Sequence, residues 1–166
     1  VLAFLAPKLL SGKRLRVTAC PTFEASDTVL GITNSSSGKM GYAIAEAAAA
    51  LGAEVTLVSG PTALAAPARM PRIDVTSAAE MFAAVKENFA GVDLFFSVAA
   101  VADYTPVARL GTKLKKSREA MTLELKPTED ILAWAAAQPD APFCVGFAAE
   151  SENIAQYAQA KRAKKK

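Results

Sequence analysis

Residues 32–59 read ITNSSSGKMGYAIAEAAAALGAEVTLVS. Lys39 to Leu51 is alanine-rich, the composition of a good helix. Gly52 follows, well suited to end that helix in the left-handed conformation. AEVTLVS, 53–59, then reads as a strand. The segment is therefore a helix–glycine–strand unit, and the sequence on either side repeats the alternation.

Upstream, RLRVTAC (14–20) is the first convincing strand, followed by an irregular stretch to Asn34. Downstream, RIDV (72–75) is a short strand. Ser77 and Glu80 form a Ser-x-x-Glu capping box before the helical MFAAVKENFA (81–90). VDLFFSVAAVA (92–102) is almost continuously apolar, as a strand covered on both faces would be. A long polar, basic loop occupies 103–120, and MTLEL (121–125) is a candidate strand. TEDILAWAAAQ (128–138) reads as helix, PFCVGFAAE (142–150) as a buried strand and 151–166 as a last helix. This order predicts a single α/β domain, a Rossmann-like, mostly parallel sheet with helices on both faces and a long basic flap. Ligands of such sheets bind beyond the carboxyl ends of the strands.

Composition narrows the function. The 166 residues are 52% hydrophobic and 21% charged, as in a globular domain. The chain has no histidine, which excludes a Ser-His-Asp triad and histidine-ligated zinc. Cys20 and Cys144 sit in apolar runs and read as buried thiols of a reducing compartment. Net charge is +3, yet the tail KRAKKK alone carries five positive charges. Basic charge confined to a terminus argues against nucleic acid. No apolar run reaches membrane-spanning length, and the opening VLAFLAPKLLSGKR lacks the basic start and cleavage site of a signal peptide.

Asn34, Ser35, Ser36, Ser37 and Gly38 precede the first long helix. Unpaired N–H groups and the helix dipole favour an anion there, and hydroxyls add donors. A simple capped loop accounts for the same residues. A P-loop is excluded because Met40 follows Gly38-Lys39 and no glycine stands five residues earlier. The Gly-x-Gly-x-x-Gly of a dinucleotide site is also missing after the first strand. Lys113, Lys115 and Lys116 lie in the basic loop, either as solvated surface or as a cationic flap closing over phosphates. Asp103 ends the 92–102 strand, as a working carboxylate or a loop cap.

Four stretches, TNSSSGKMGYAIAEAAAALGAEVTLVSGP, AAVADY, KLKK and FCVGFAAES, resemble in order the synthetase part of the bifunctional coenzyme A biosynthesis flavoprotein. That family is phosphopantothenoylcysteine synthetase, or phosphopantothenate–cysteine ligase. The resemblance implies that 4′-phosphopantothenate attacks the α-phosphate of CTP, releasing pyrophosphate. L-cysteine then attacks the acyl-cytidylate to give the amide and CMP. It implies Asn34 at the intermediate, Ser35 to Gly38 on phosphate, and Lys113, with Lys115 and Lys116, as the flap. Ala99, Ala100 and Asp103 would line the nucleotide site, and Phe147 would lie beside the base. Mg²⁺ would accompany the triphosphate, with no ligands assigned. The family also implies a cytoplasmic homodimer and a phosphopantothenoylcysteine decarboxylase partner holding FMN. On this reading residues 1–12 are a linker from that half, and 13–166 a ligase domain lacking its C-terminal end.

Three positions depart from the family pattern. Cys20 stands for a glycine in TACPT, Leu30 for an arginine expected to contact phosphopantothenate, and Glu129 for a proline. These departures leave a catalytically impaired nucleotide-binding homologue as one alternative. An NAD(P)-dependent oxidoreductase on the same fold is another, disfavoured by the absent glycine fingerprint and Tyr-x-x-x-Lys pair.

Overall fold

The computed structural model describes residues 7–115, 120–149 and 152–164. Its centre is a parallel sheet of β1 (Arg14–Ala19), β4 (Glu54–Ser59), β5 (Arg72–Asp74), β6 (Leu94–Ser97) and β9 (Phe143–Gly146), in the order β5-β4-β1-β6-β9. Two antiparallel ribbons stand beside it. One pairs β2 (Phe23–Ala25) with β3 (Gly31–Thr33), the other β7 (Tyr104–Pro106) with β8 (Leu125–Pro127). The helices are α1 (Lys39–Ala50), α2 (Ala78–Glu87), α3 (Ile131–Ala136) and α4 (Ile154–Lys164). The predicted Rossmann-like architecture is what forms.

Side chains alternate across a strand, so the two faces of the sheet feed two cores. Leu57 joins Leu15, Val17 and Ala19 beneath Tyr42, Ala45 and Ala48 of α1. Its neighbour Val58 joins Phe95 on the other face, under Met81 and Val85 of α2 and Ile131 and Ala135 of α3. Trp134 stacks edge-on against Phe82 and Phe89, with ring centroids 5.3 and 4.9 Å away. Helices thus cover both faces, and α1 lies close: a Cβ on Gly41 would overlap Ala19.

Local chemistry sets the helix ends. Gly52 takes φ 96° after α1, as its position predicted. The Lys8 ammonium and Leu10 amide bind the Ala50 and Leu51 carbonyls, docking the segment before β1 on the end of α1. Ser77 Oγ accepts from the Glu80 amide, but the Glu80 carboxylate reaches back to Thr76 rather than Ser77, and α2 starts at Ala78 instead of 81.

Three expectations about extent need correction. The stretch between Cys20 and Asn34 is a short hairpin rather than irregular chain. β6 pairs only to Ser97, because beyond it the chain turns to bond Cys20 and Thr22 and leaves the ladder. The strand expected at 121–125 pairs instead over Leu125–Pro127. Among the described residues no helix is long and apolar enough to cross a membrane.

Candidate functional site

Strand order reverses at β1: β4 lies on one side and β6 on the other. A crevice opens outside the carboxyl ends at such a point. Cys20 and Gly38 meet there. Cys20 is buried with φ 68°, an uncommon conformation for a residue with a Cβ, and its Sγ fills the space a Gly38 side chain would need. The Cys20 side chain is accommodated there because Gly38 has none. Below, the Tyr42 and Ser59 hydroxyls share a 3.0 Å hydrogen bond, and Ser59 donates to Cys20 Sγ.

Gly38 is the N-cap of α1, at φ 71°, and no side chain caps this helix or adds acidic charge to its first turn. α2 and α3, in contrast, are capped by Ser77 and Asp130. The first N–H groups of a helix have no partner within it, so α1 directs unused donors and positive dipole at the crevice. Ser35 and Ser37 are exposed beside it, and Ser36 Oγ accepts from the Gly38 amide.

The opposite wall is the segment after β6. Asn34 Nδ2 donates to the Ala100 carbonyl at 2.9 Å. Ala100 N–H in turn binds the Cys20 carbonyl, and Ala99 N–H binds Thr18 Oγ1. Asn34, the serine loop before α1, Ala99 and Ala100 thus lie at the same crevice. Asp103 is exposed three residues further on, where its carbonyl accepts from Thr128. Gly146 pairs with Ser97 at the end of the ladder, and Phe147 is the next residue along the chain. Phe147 is half-exposed and lines a cavity of about 960 Å³ between β9, α3 and α4.

The basic segment is attached elsewhere. Leu110 N–H binds the Ser26 carbonyl, and Leu114 N–H binds Asp27 Oδ2 at 2.8 Å. This ties it to the β2–β3 turn, leaving Lys113 and Lys115 exposed. Lys116 lies outside the described residues. A cavity of about 430 Å³ sits between Ser26, Leu110, Leu114 and Met121. Leu30 is half-exposed in the same turn, its backbone held by Ser26 and Asp27.

Two residues that sequence reasoning passed over organise these walls. Thr22 is fully buried, accepting from Ala102 N–H at its hydroxyl and from Thr33 at its carbonyl, and so joins β3 to the segment after β6. Asp27 is 1% exposed. Amide hydrogens of Leu30, Leu114 and Val29 hold its carboxyl below the usual range, against the opposing effect of burial. No local spacing announces either role, because the partners lie up to 87 positions away. Among the described residues no three Cys, Asp or Glu side chains gather to hold a metal.

Residues 10–166 match the DNA/pantothenate metabolism flavoprotein C-terminal domain. The chain belongs to that family. It is 52% identical over 165 residues to the coenzyme A biosynthesis bifunctional protein CoaBC of Vibrio parahaemolyticus, covering 98% of this chain and 41% of that protein. The chain thus spans about two-fifths of the relative's length. The crystal structure of the C-terminal domain of a CoaBC protein superposes with TM-score 0.83 at 46% identity, covering 94% of this chain and 74% of that one. A Cab2 mutant in complex with phosphopantothenate-cysteine shares the fold at TM-score 0.70 and 16% identity, over 91% of this chain and 69% of that one.

Proposed function

We propose that the chain joins 4′-phosphopantothenate to L-cysteine through an acyl-cytidylate. The observation that carries this is the Asn34–Ala100 hydrogen bond beside the uncapped N-terminus of α1 at the strand-order reversal. Family membership and the name of the CoaBC relatives support it. So does the ligand of the Cab2 structure, at the level of shared fold.

In the first step a carboxylate oxygen of phosphopantothenate attacks the α-phosphorus of CTP. The bond to the β-phosphate breaks and pyrophosphate leaves. In the second, the cysteine amine attacks the acyl carbon, loses a proton, and CMP departs with the C–O electron pair. Neither step needs a histidine, only placement of the reactants and stabilisation of phosphate charge. The α1 amides and Ser35 to Gly38 receive phosphate oxygens. Asn34, oriented through Ala100, directs its second amide hydrogen at the acyl phosphate. Ala99 and Ala100 line the nucleotide site, Phe147 lies beside the base, and Lys113, Lys115 and Lys116 supply positive charge over the triphosphate. Mg²⁺ would accompany the triphosphate and neutralise part of its charge, needing few ligands from the protein. A single carboxylate such as Asp103 fits that need, whereas a resident metal would want a fuller ligand set. The reading includes a cytoplasmic homodimer working with a decarboxylase partner whose FMN belongs to that half.

Leu30 favours a second reading, nucleotide binding without ligation, since an apolar side chain is exposed where the family places an anion-binding arginine. Pyrophosphate release with CTP or ATP, Mg²⁺ and phosphopantothenate, with and without cysteine, separates the two. Release dependent on phosphopantothenate, with CMP and amide on adding cysteine, supports the ligase. CTP binding without release supports the second reading.

A further inference from the structure

We propose that Asp27 is a positioning residue that ties the Lys113-bearing segment to the β2–β3 turn and so places Lys113 for its phosphate role. This rests on the reading of Lys113 given above.

The two carboxylate oxygens of Asp27 do different things. Oδ1 accepts from the Val29 and Leu30 amides, both at 2.6 Å, and closes the turn. Asn or Ser would close such a turn equally well. Oδ2 is not needed locally, and it accepts from Leu114 N–H, 87 positions along the chain. Only a carboxylate offers a second acceptor in that direction, because an asparagine presents an NH₂ donor there. The side chain is almost wholly buried, so a donor removed from it would leave an acceptor without water to replace it. Leu110, bonded to Ser26, gives the segment a second attachment to the same turn.

Leu114 is the residue next to Lys113. The Lys113 side chain therefore springs from a fixed backbone, and its positive charge also lies near enough to Asp27 to stabilise the carboxylate. A cation on an anchored backbone loses less freedom when it meets a phosphate than one on a free loop. The same carboxylate holds Leu30, so the turn and the basic segment move as one piece.

Asp27→Asn and Asp27→Ser keep the turn acceptor and remove the tie to Leu114. Amide exchange by NMR should show Leu114 deprotected about tenfold or more in either variant, with Val29 and Leu30 changed less than about twofold. Pyrophosphate release should fall about tenfold in kcat with a smaller change in KM for CTP. In a Lys113→Ala background the same substitution should cost less than about twofold, because the residue acts through Lys113. Losses that multiply in the double variant, or a Leu114 amide unaffected by the substitution, overturn the proposal. If neither variant folds, the unsubstituted protein decides: Leu114 exchanging at the free-loop rate refutes the tie, and protection there sustains it. A parent chain that releases no pyrophosphate refutes the ligase reading alone, since the exchange measurement does not depend on it.

Discussion

Asn34 commits one amide hydrogen to the Ala100 carbonyl, which restrains its side chain. It is exposed, so removing it should leave stability nearly unchanged. We expect Asn34→Ala to lower amide formation by about 10²–10³-fold, the usual effect of losing one oriented donor. Product formation at the parent rate in a single-turnover assay would remove Asn34 from the mechanism. Asp27 makes a different prediction. Its folded value lies below the unfolded one, held there first by the Leu30 amide and then by Leu114 and Val29. Its stabilising effect is therefore complete above about pH 4, near the unfolded value, and is lost as the pH falls through the lower folded value. The stability difference between the parent and Asp27→Asn should be constant from neutral pH to pH 5 and shrink only in stronger acid. Thermal unfolding across that range checks it, and a difference that grows on acidification would contradict it.

At the scale of the element, α1 depends on two adjoining left-handed residues. Gly38 tolerates φ 71° without cost, and Cys20 at φ 68° does not. A Cβ on Gly38 would overlap Cys20 Sγ and would itself be forced left-handed. Gly38→Ala should cost at least about 2 kcal/mol. That corresponds to a melting point lower by roughly 4 °C or more in a chain of this size. Adding Cys20→Gly removes both the overlap and the second strained residue, so the double variant should regain part of the loss. A single variant that melts with the parent would mean that the loop rearranges freely, contrary to the packing beneath it.

At the scale of the molecule, stability comes from two cores pressed on opposite faces of one sheet. Phe95 is fully buried in the second, beside Val58, Met81 and Phe89. Phe95→Ala should destabilise by about 3–5 kcal/mol through lost burial and the cavity left behind. Denaturant unfolding reads this directly, and a loss below about 1 kcal/mol would show that the face collapses to fill the space. The crevice residues sit at the ends of these strands, so the same variant should weaken nucleotide binding only as far as it unfolds the protein.

The alternation of helix and strand was legible because it is written locally: alanine-rich helix, glycine stop, β-branched strand. The serine loop and Asn34 were legible for the same reason, being contiguous in the chain. Strand ends were not, since β6 leaves its ladder where Cys20 and Thr22 offer partners from another part of the chain. The β2–β3 hairpin was missed because its three-residue strands are too short to show a period. Asp27 and Thr22 look like ordinary turn residues until the fold brings Leu114 and Ala102 to them. The sequence by itself determined the fold class and the position of the Asn34–Gly38 loop ahead of α1, because propensity and helix geometry act over a few neighbouring residues. Only the tertiary structure decided where the basic segment is held and which strand end meets Asn34, because those bonds join residues far apart in the chain.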